Sequence, residues 1–192
     1  MKINSYYAAL RKLTQCITIT DKAGKNLGLQ SGFEKAINLI TACGKHGGKL
    51  MFIGNGASAS ISSHMAIDFW KHSGIRATAF NDSSLLTCIS NDYGYEQVFA
   101  KPVEMFADKG DILIAISSSG KSVNVLHAVK AARSRSGRVI TLTGFLANNP
   151  LRKSGEINFY VPFPAYGQVE VMHHSICHCM LDTIVSERDK GK

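Results

Sequence analysis

His64 and Asp68 stand four residues apart, and Glu170 and His178 stand eight apart near the C-terminal end. On a helix the first pair shares a face and the second is separated by about 80°, so all four side chains can turn into one cleft. Two imidazoles and two carboxylates form a nitrogen and oxygen donor set suited to zinc or another first-row divalent ion, and the same groups can move protons. This spacing is equally that of ordinary capping or surface pairs, and alone it does not choose between them. The flanking residues suit the task less well. Cys177 and Cys179 point about 100° to either side of His178, which favours core packing over joint ligation. Of the adjacent His173 and His174, one must face away from any cleft.

Two further segments offer oxygen and nitrogen donors of another kind. Gly54-Asn55-Gly56-Ala57-Ser58-Ala59-Ser60 and Ser117-Ser118-Ser119-Gly120-Lys121-Ser122 each follow a short apolar run and precede a helix pattern. A small, hydroxyl-rich turn entering a helix presents backbone N–H groups, the positive end of the helix dipole and several hydroxyls to one anion, as a phosphate monoester requires. Lys121 adds a point charge. Neither segment fits GxxxxGK[ST] or GxGxxG, which removes the best support for a nucleotide triphosphate or dinucleotide. Serines and glycines also form turns and N-caps with no ligand at all. Two such turns at equivalent strand ends weigh against that reading.

The elements that must carry these residues follow from hydrophobic patterning. Apolar runs at 49–53, 76–80, 112–116, 138–142 and 157–161 alternate with helix patterns at about 57–71, 83–90, 95–106, 122–135 and 168–186. Unbroken runs of this kind are strands buried on both faces, so the chain reads as a doubly wound α/β sandwich on a five-stranded parallel sheet. Ligands in such sheets sit beyond the carboxyl ends of the strands, where both serine turns fall. Two helices precede the first strand. One spans 5–19 with Tyr6, Leu10, Leu13 and Ile17 on one face, and the other is announced by Ser31 with Glu34 three residues on.

The 192 residues suffice for one sizeable core, and we read them as one unit with an N-terminal helical extension over about 1–45. No apolar run is long enough to cross a membrane and no secretory leader is visible, so a cytoplasmic protein is expected. Five cysteines without CxxC spacing argue against disulfides and against a thiolate zinc site, and most are expected to be buried. The net charge of +8 could attract a phosphorylated metabolite or nucleic acid. Lys121, Lys130, Arg133, Arg135 and Arg138 lack interleaved aromatics, which disfavours nucleic acid. Trp70 is expected to pack its helix.

Taken in order, Gly54 to Ser58, His64, Ser90-Asn91-Asp92-Tyr93-Gly94-Tyr95, Ile116 to Leu126 and Leu142-Thr143-Gly144 resemble the sugar isomerase (SIS) domain family, and within it the phosphoheptose isomerase branch. The resemblance runs from about residue 30 to 186. It implies a flavodoxin-like sandwich, a homotetramer with sites built between subunits, and interconversion of sedoheptulose 7-phosphate and a manno-heptose 7-phosphate. It further implies that Ser58, Ser117, Ser119 and Ser122 hold the phosphate, while Asn55, Gly56, Ser118 and Asp92 line the sugar. Zinc is implied as cofactor, with His64 and His178 at two ligand positions.

The chain departs from the family pattern at the other two ligands. Asp68 stands where the family has Glu, and Glu170 where it has Gln, which preserves oxygen donors and adds one negative charge. The family uses its Glu as base and its last His as acid, so Asp68, Glu170 and His178 are the proton-transfer candidates here, with Glu170 able to replace the shorter Asp68. His173 falls where many members also have a histidine. Gly167 and Gln168 replace an Asp and Arg, and His72 replaces an Arg, which leaves room for a phosphosugar other than a heptose. The alternatives are a non-catalytic SIS protein of the type that associates with a replication initiator, and a regulatory phosphosugar binder. Retention of His64, Asp68, Glu170 and His178 favours the enzyme.

Overall fold

The computed structural model describes residues 2–190. Its largest departure from the sequence reading lies at the N-terminus. Helix α1 (Ile3–Cys16) carries the expected apolar stripe but stops at Cys16, and the next residues form strand β1 (Thr18–Asp21). β-branched Thr18, Ile19 and Thr20 favour extended backbone, and Ile19 is buried against the sheet core, so the helix does not reach Ile19 as expected. Helix α2 (Leu29–Lys45) starts ahead of Ser31, which therefore does not cap it. Gly28, at φ 72°, precedes the helix, and Glu34 accepts a hydrogen bond from Gln30 Nε2 at 2.8 Å.

The five expected parallel strands all form: β2 (Lys49–Ile53), β3 (Arg76–Ala79), β4 (Ile112–Ser117), β5 (Arg138–Thr143) and β6 (Ile157–Tyr160). The sheet has six strands rather than five, in the order β1-β6-β5-β4-β2-β3, because β1 adds antiparallel to β6 with Thr18 opposite Tyr160. Counted without β1, the parallel strands run 2-1-3-4-5, the flavodoxin-like order, whose direction reverses between β2 and β4. The two serine turns leave those neighbouring strands, so they meet at the switch point.

Alternate side chains of each strand feed two cores. Leu50, Phe52, Ile112, Ile114, Ile140 and Leu142 face α2, helix α3 (Ala57–Asp68) and helix α7 (Tyr166–Lys190). Met51, Ile53, Leu113 and Val139 face helix α5 (Ala100–Phe106) and helix α6 (Val123–Ser134). Helix α4 (Ser83–Tyr93) is capped by Asp82, whose Oδ1 accepts from the N–H groups of Ser84 and Leu85. After α3 the chain widens into a π-helical turn, Phe69–Ser73, that buries Phe69 and leaves Trp70 53% exposed. Trp70 therefore does not pack its helix as expected, because the widened turn rotates it outward.

Candidate active site

At the switch point, the turns after β2 and β4 are tied together by side-chain amides. Asn55 Nδ2 donates to Asn124 Oδ1 and Asn124 Nδ2 donates to Asn55 Oδ1, both at 2.9 Å, and Tyr95 Oη donates to Asn55 Oδ1 at 3.0 Å. Together with Ser122 these residues line an open cleft of about 450 Å³. Asn124 and Tyr95 were not singled out from sequence. Their signal was their placement, Asn124 in the first turn of α6 and Tyr95 after Gly94.

The hydroxyls of the second turn are only partly engaged by the protein. Ser122 precedes α6 without capping it, and its Oγ lies 3.2 Å from Ser117 Oγ. Ser118 Oγ is buried and has no hydrogen-bond partner among the described residues. Ser119, half-buried, accepts from the Lys121 N–H at 3.3 Å. Ser58 is buried at the start of α3 behind Gly56, which takes φ 55°. Asp92 stands exposed at the end of α4, its oxygens engaged by Asn91 Nδ2 and, more loosely, Cys88 Sγ, and so lies outside this amide and hydroxyl group.

On the other side of α3, His64 Nε2 lies 3.1 Å from Asp68 Oδ2, and His72 Nε2 lies 3.9 Å from Asp68 Oδ1. The pair expected from the four-residue spacing is thus formed, with Asp68 held between two imidazoles. Helix α7 brings His178 to His64, with ring centroids 5.5 Å apart. It also brings His174, whose ring lies 5.0 Å from His64 and 4.7 Å from His178. One ligand atom from each of His64, His174 and His178 falls within 4.8 Å of the others. Sequence alone establishes only that one of His173 and His174 faces away from the cleft, and the structure selects His174 as the one facing it, on one helix face with residues 170 and 178.

Glu170, half-buried one turn before His174, is outside that close set and makes no hydrogen bond or ion pair with a described residue. His173 is the member of the adjacent pair that turns away. It is fully buried, and burial pushes its pKa down to about 4 against a weaker opposing pull from the Thr143 backbone, so the ring is neutral. Burial, then His178 and His64, lower the pKa of His174, while Asp68 opposes the shift. Cys177 is buried and its thiol is pushed up to about 12 by desolvation, which makes it an inert core residue. Cys43 is also buried, whereas Cys88 and Cys179 are exposed and Cys16 is intermediate, so the expectation of mostly buried cysteines does not hold.

The SIS domain family matches residues 18–144, covering both serine turns and α3. The phosphoheptose isomerase of Sodalis glossinidius is 38% identical over 160 residues, which cover 80% of this chain and 82% of that protein. The chain belongs to the phosphoheptose isomerase family. Solved structures agree at the level of the whole fold. The phosphoheptose isomerase from Neisseria gonorrhoeae superposes with a TM-score of 0.80 at 32% identity, covering 96% of this chain and 97% of that one. The enzyme from Francisella tularensis gives 0.82 at 29% identity, covering 96% of each chain. Among the described residues, no helix is long and apolar enough to cross a membrane.

Proposed function

We propose that this protein is an aldose–ketose isomerase that interconverts sedoheptulose 7-phosphate and a manno-heptose 7-phosphate through an enediol. The observation that carries the reading is the turn after β4. Ser118 Oγ is buried and unpartnered, and Ser122 is free of its capping duty, at the point where the sheet order reverses. Hydroxyls left in that state are donors waiting for an anion, and the phosphate monoester is the group that Ser58, Ser117, Ser119 and Ser122 would share. Asn55, Gly56, Ser118 and Asp92 are assigned to the sugar, with Asn55 oriented by Asn124 and Tyr95.

The imidazole and carboxylate cluster supplies the proton chemistry. The ketose must lose a proton from C1 and the enediol must gain one at C2, so a base and an acid have to stand on the same side of the opened chain. His178 is the acid. Asp68 is committed to His64 and His72, which suits it to orienting His64. Glu170, engaged by neither hydrogen bond nor ion pair with a described residue, is the better base, and Asp68 the secondary one.

The donor chemistry fits a divalent ion: the cluster gathers imidazole nitrogens about a His174 Nε2 that is buried with no hydrogen-bond partner among the described residues, beside a carboxylate that contacts His64. The family positions would place zinc, or another first-row ion, on His64, Asp68, Glu170 and His178, of which the close imidazole set contains His64 and His178. When bound it would stabilise negative charge developing on the sugar oxygens. Ser122 of the serine turn lines one cleft with Asn55 and Tyr95, and His178 of the imidazole cluster lines another with Asp68, His72 and Asp182. This supports a homotetramer with sites shared between subunits, each subunit a single SIS unit, acting in the cytoplasm. The binding-only alternatives are not favoured, because the ionisable cluster is assembled and the relatives are isomerases by name.

The test is NMR of sedoheptulose 7-phosphate incubated with zinc-loaded protein in D2O. Aldose carrying deuterium at C2 is expected. No conversion by protein that demonstrably holds metal would remove the heptose assignment.

A further inference from the structure

Building on the metal-dependent reading above, we propose that His174 is a third imidazole ligand, so that the ion is held by His64, His174 and His178, and Glu170 is not required for binding it. The family positions assign no ligand to residue 174, and the placement comes from the geometry of this chain.

The three rings close a triangle, with centroid separations of 5.0, 4.7 and 5.5 Å, and each offers an atom within 4.8 Å of the other two. His174 and His178 are one turn apart on α7, and His64 projects from α3, which contacts α7 and shares with it the core that holds Met65, Ile176 and Met180. All three ligands therefore stand on rigid helices, as a preorganised site demands. His174 Nε2 is buried and lacks a hydrogen-bond partner among the described residues. A buried ring nitrogen without a partner is uncommon unless something outside the chain supplies one. Here the nitrogen belongs to a ring in contact with both other imidazoles, an arrangement that suits a shared cation. Asp68, on His64 Nε2 at 3.1 Å, is the carboxylate that typically sets the tautomer and orientation of a ligating histidine.

This arrangement has a consequence that the oxygen-rich alternative lacks. Three imidazoles select Zn²⁺, Co²⁺, Ni²⁺ or Cu²⁺ over Mg²⁺, Ca²⁺ and Mn²⁺, and three protein ligands leave a position open for substrate. It also separates the labour of the two carboxylates, with Asp68 orienting a ligand and Glu170 left for the proton.

Metal affinity decides the matter independently of turnover. Metal-stripped protein is titrated with Co²⁺ alone, following the visible absorption bands, and Zn²⁺ affinity is measured by competition with a chromophoric chelator. His174→Gln is expected to weaken Zn²⁺ binding by about tenfold or more and to change the Co²⁺ bands, while Glu170→Gln stays within about threefold of wild type. X-ray absorption at the zinc edge of the unmutated protein is expected to count three imidazoles, which keeps the test valid if His174→Gln folds poorly. Wild-type affinity in His174→Gln, a larger loss in Glu170→Gln than in His174→Gln, or two imidazoles at the zinc edge would each overturn the assignment. So would failure of the wild type to bind either ion. A three-imidazole zinc site in a protein that does not convert the heptose phosphate would leave this inference standing and remove only the isomerase reading.

Discussion

Gly120 shows how little freedom the phosphate turn has. Its φ is +63°, and a Cβ built there would lie 1.9 Å from Asn149 Oδ1. Asn149 cannot easily yield, since its Nδ2 donates to the Gly144 and Leu146 carbonyls and its Oδ1 accepts from the Arg152 N–H. Gly120→Ala is therefore expected to cost about 2–4 kcal/mol, read as a lower urea midpoint, and to raise KM for the sugar phosphate. Ser119→Ala touches the same turn without that strain, so it should leave stability near wild type and act mainly on KM. His178→Ala belongs to the other group and should abolish turnover while the oligomer stays intact. Turnover surviving in His178→Ala would remove the acid role. The residue scale was also where the sequence was least complete. His64 and Asp68 were legible as a pair because four-residue spacing fixes a shared face. His174 was not, because adjacent histidines leave the phase of a helix undecided until its buried side is known.

Elements were legible to the degree that burial wrote them into the residue pattern. β2, β4 and β5 are covered on both faces, so they read as continuous apolar runs, and the five parallel strands appear within a residue or so of where they were expected. β1 has four residues, three of them polar, on the sheet edge, and a helical period running up to Ile17 masked it. The end of the sheet away from the serine turns carries a contact that sequence gave no reason to notice. Asp111, 1% exposed, accepts from Lys49 Nζ at 2.5 Å and from the N–H groups of Lys49 and Asp108 at 2.9 and 2.8 Å. Removing it strands the backbone N–H groups of Lys49 and Asp108 and leaves Lys49 Nζ on Asp108 alone. Asp111→Ala is expected to lose about 2–4 kcal/mol, a fall in Tm of roughly 5–15 °C by calorimetry.

The same cluster sets a pH dependence. Burial works against the charge on Lys49, but hydrogen bonds to Asp108 and Asp111 outweigh it and raise the pKa, while Lys49 holds the Asp108 carboxyl below its ordinary range. The lysine contribution is complete below its unfolded pKa and is lost as pH rises through the raised folded value. The aspartate contribution is present above its unfolded pKa and is lost as pH falls through the lowered folded value. The stabilisation is flat in between. Lys49→Met should therefore be less stable than wild type near neutrality and converge on it in acid below the ordinary aspartate range and in alkali above the ordinary lysine range. Urea midpoints that keep the same gap across the whole range would show that the ion pair does not carry this effect.

At the scale of the whole molecule, the Ser122 end of the phosphate turn and the acid His178 border two clefts rather than one. Asn55, Tyr95 and Ser122 line one cleft, and Asp68, His72 and His178 line another. Large apolar side chains stand exposed on the elements that carry them, with Ile67 at 51%, Trp70 at 53% and Val171 at 45%. A sugar phosphate needs its phosphate and its reacting carbons engaged at once, so a chain that parts these functions calls for a second copy to bring them together. Symmetric assembly repeats one interface and completes every site in the same way. Complementation tests this directly. Ser119→Asp places a negative charge in the phosphate seat and His178→Ala removes the acid, and each variant alone should be inactive. If the serine turn and the acid of one site come from different subunits, unfolding and refolding an equal mixture should restore up to about a quarter of wild-type turnover, because that share of sites would draw both intact groups. If one chain supplies both, no mixing ratio can restore activity, since every site would inherit one lesion or the other.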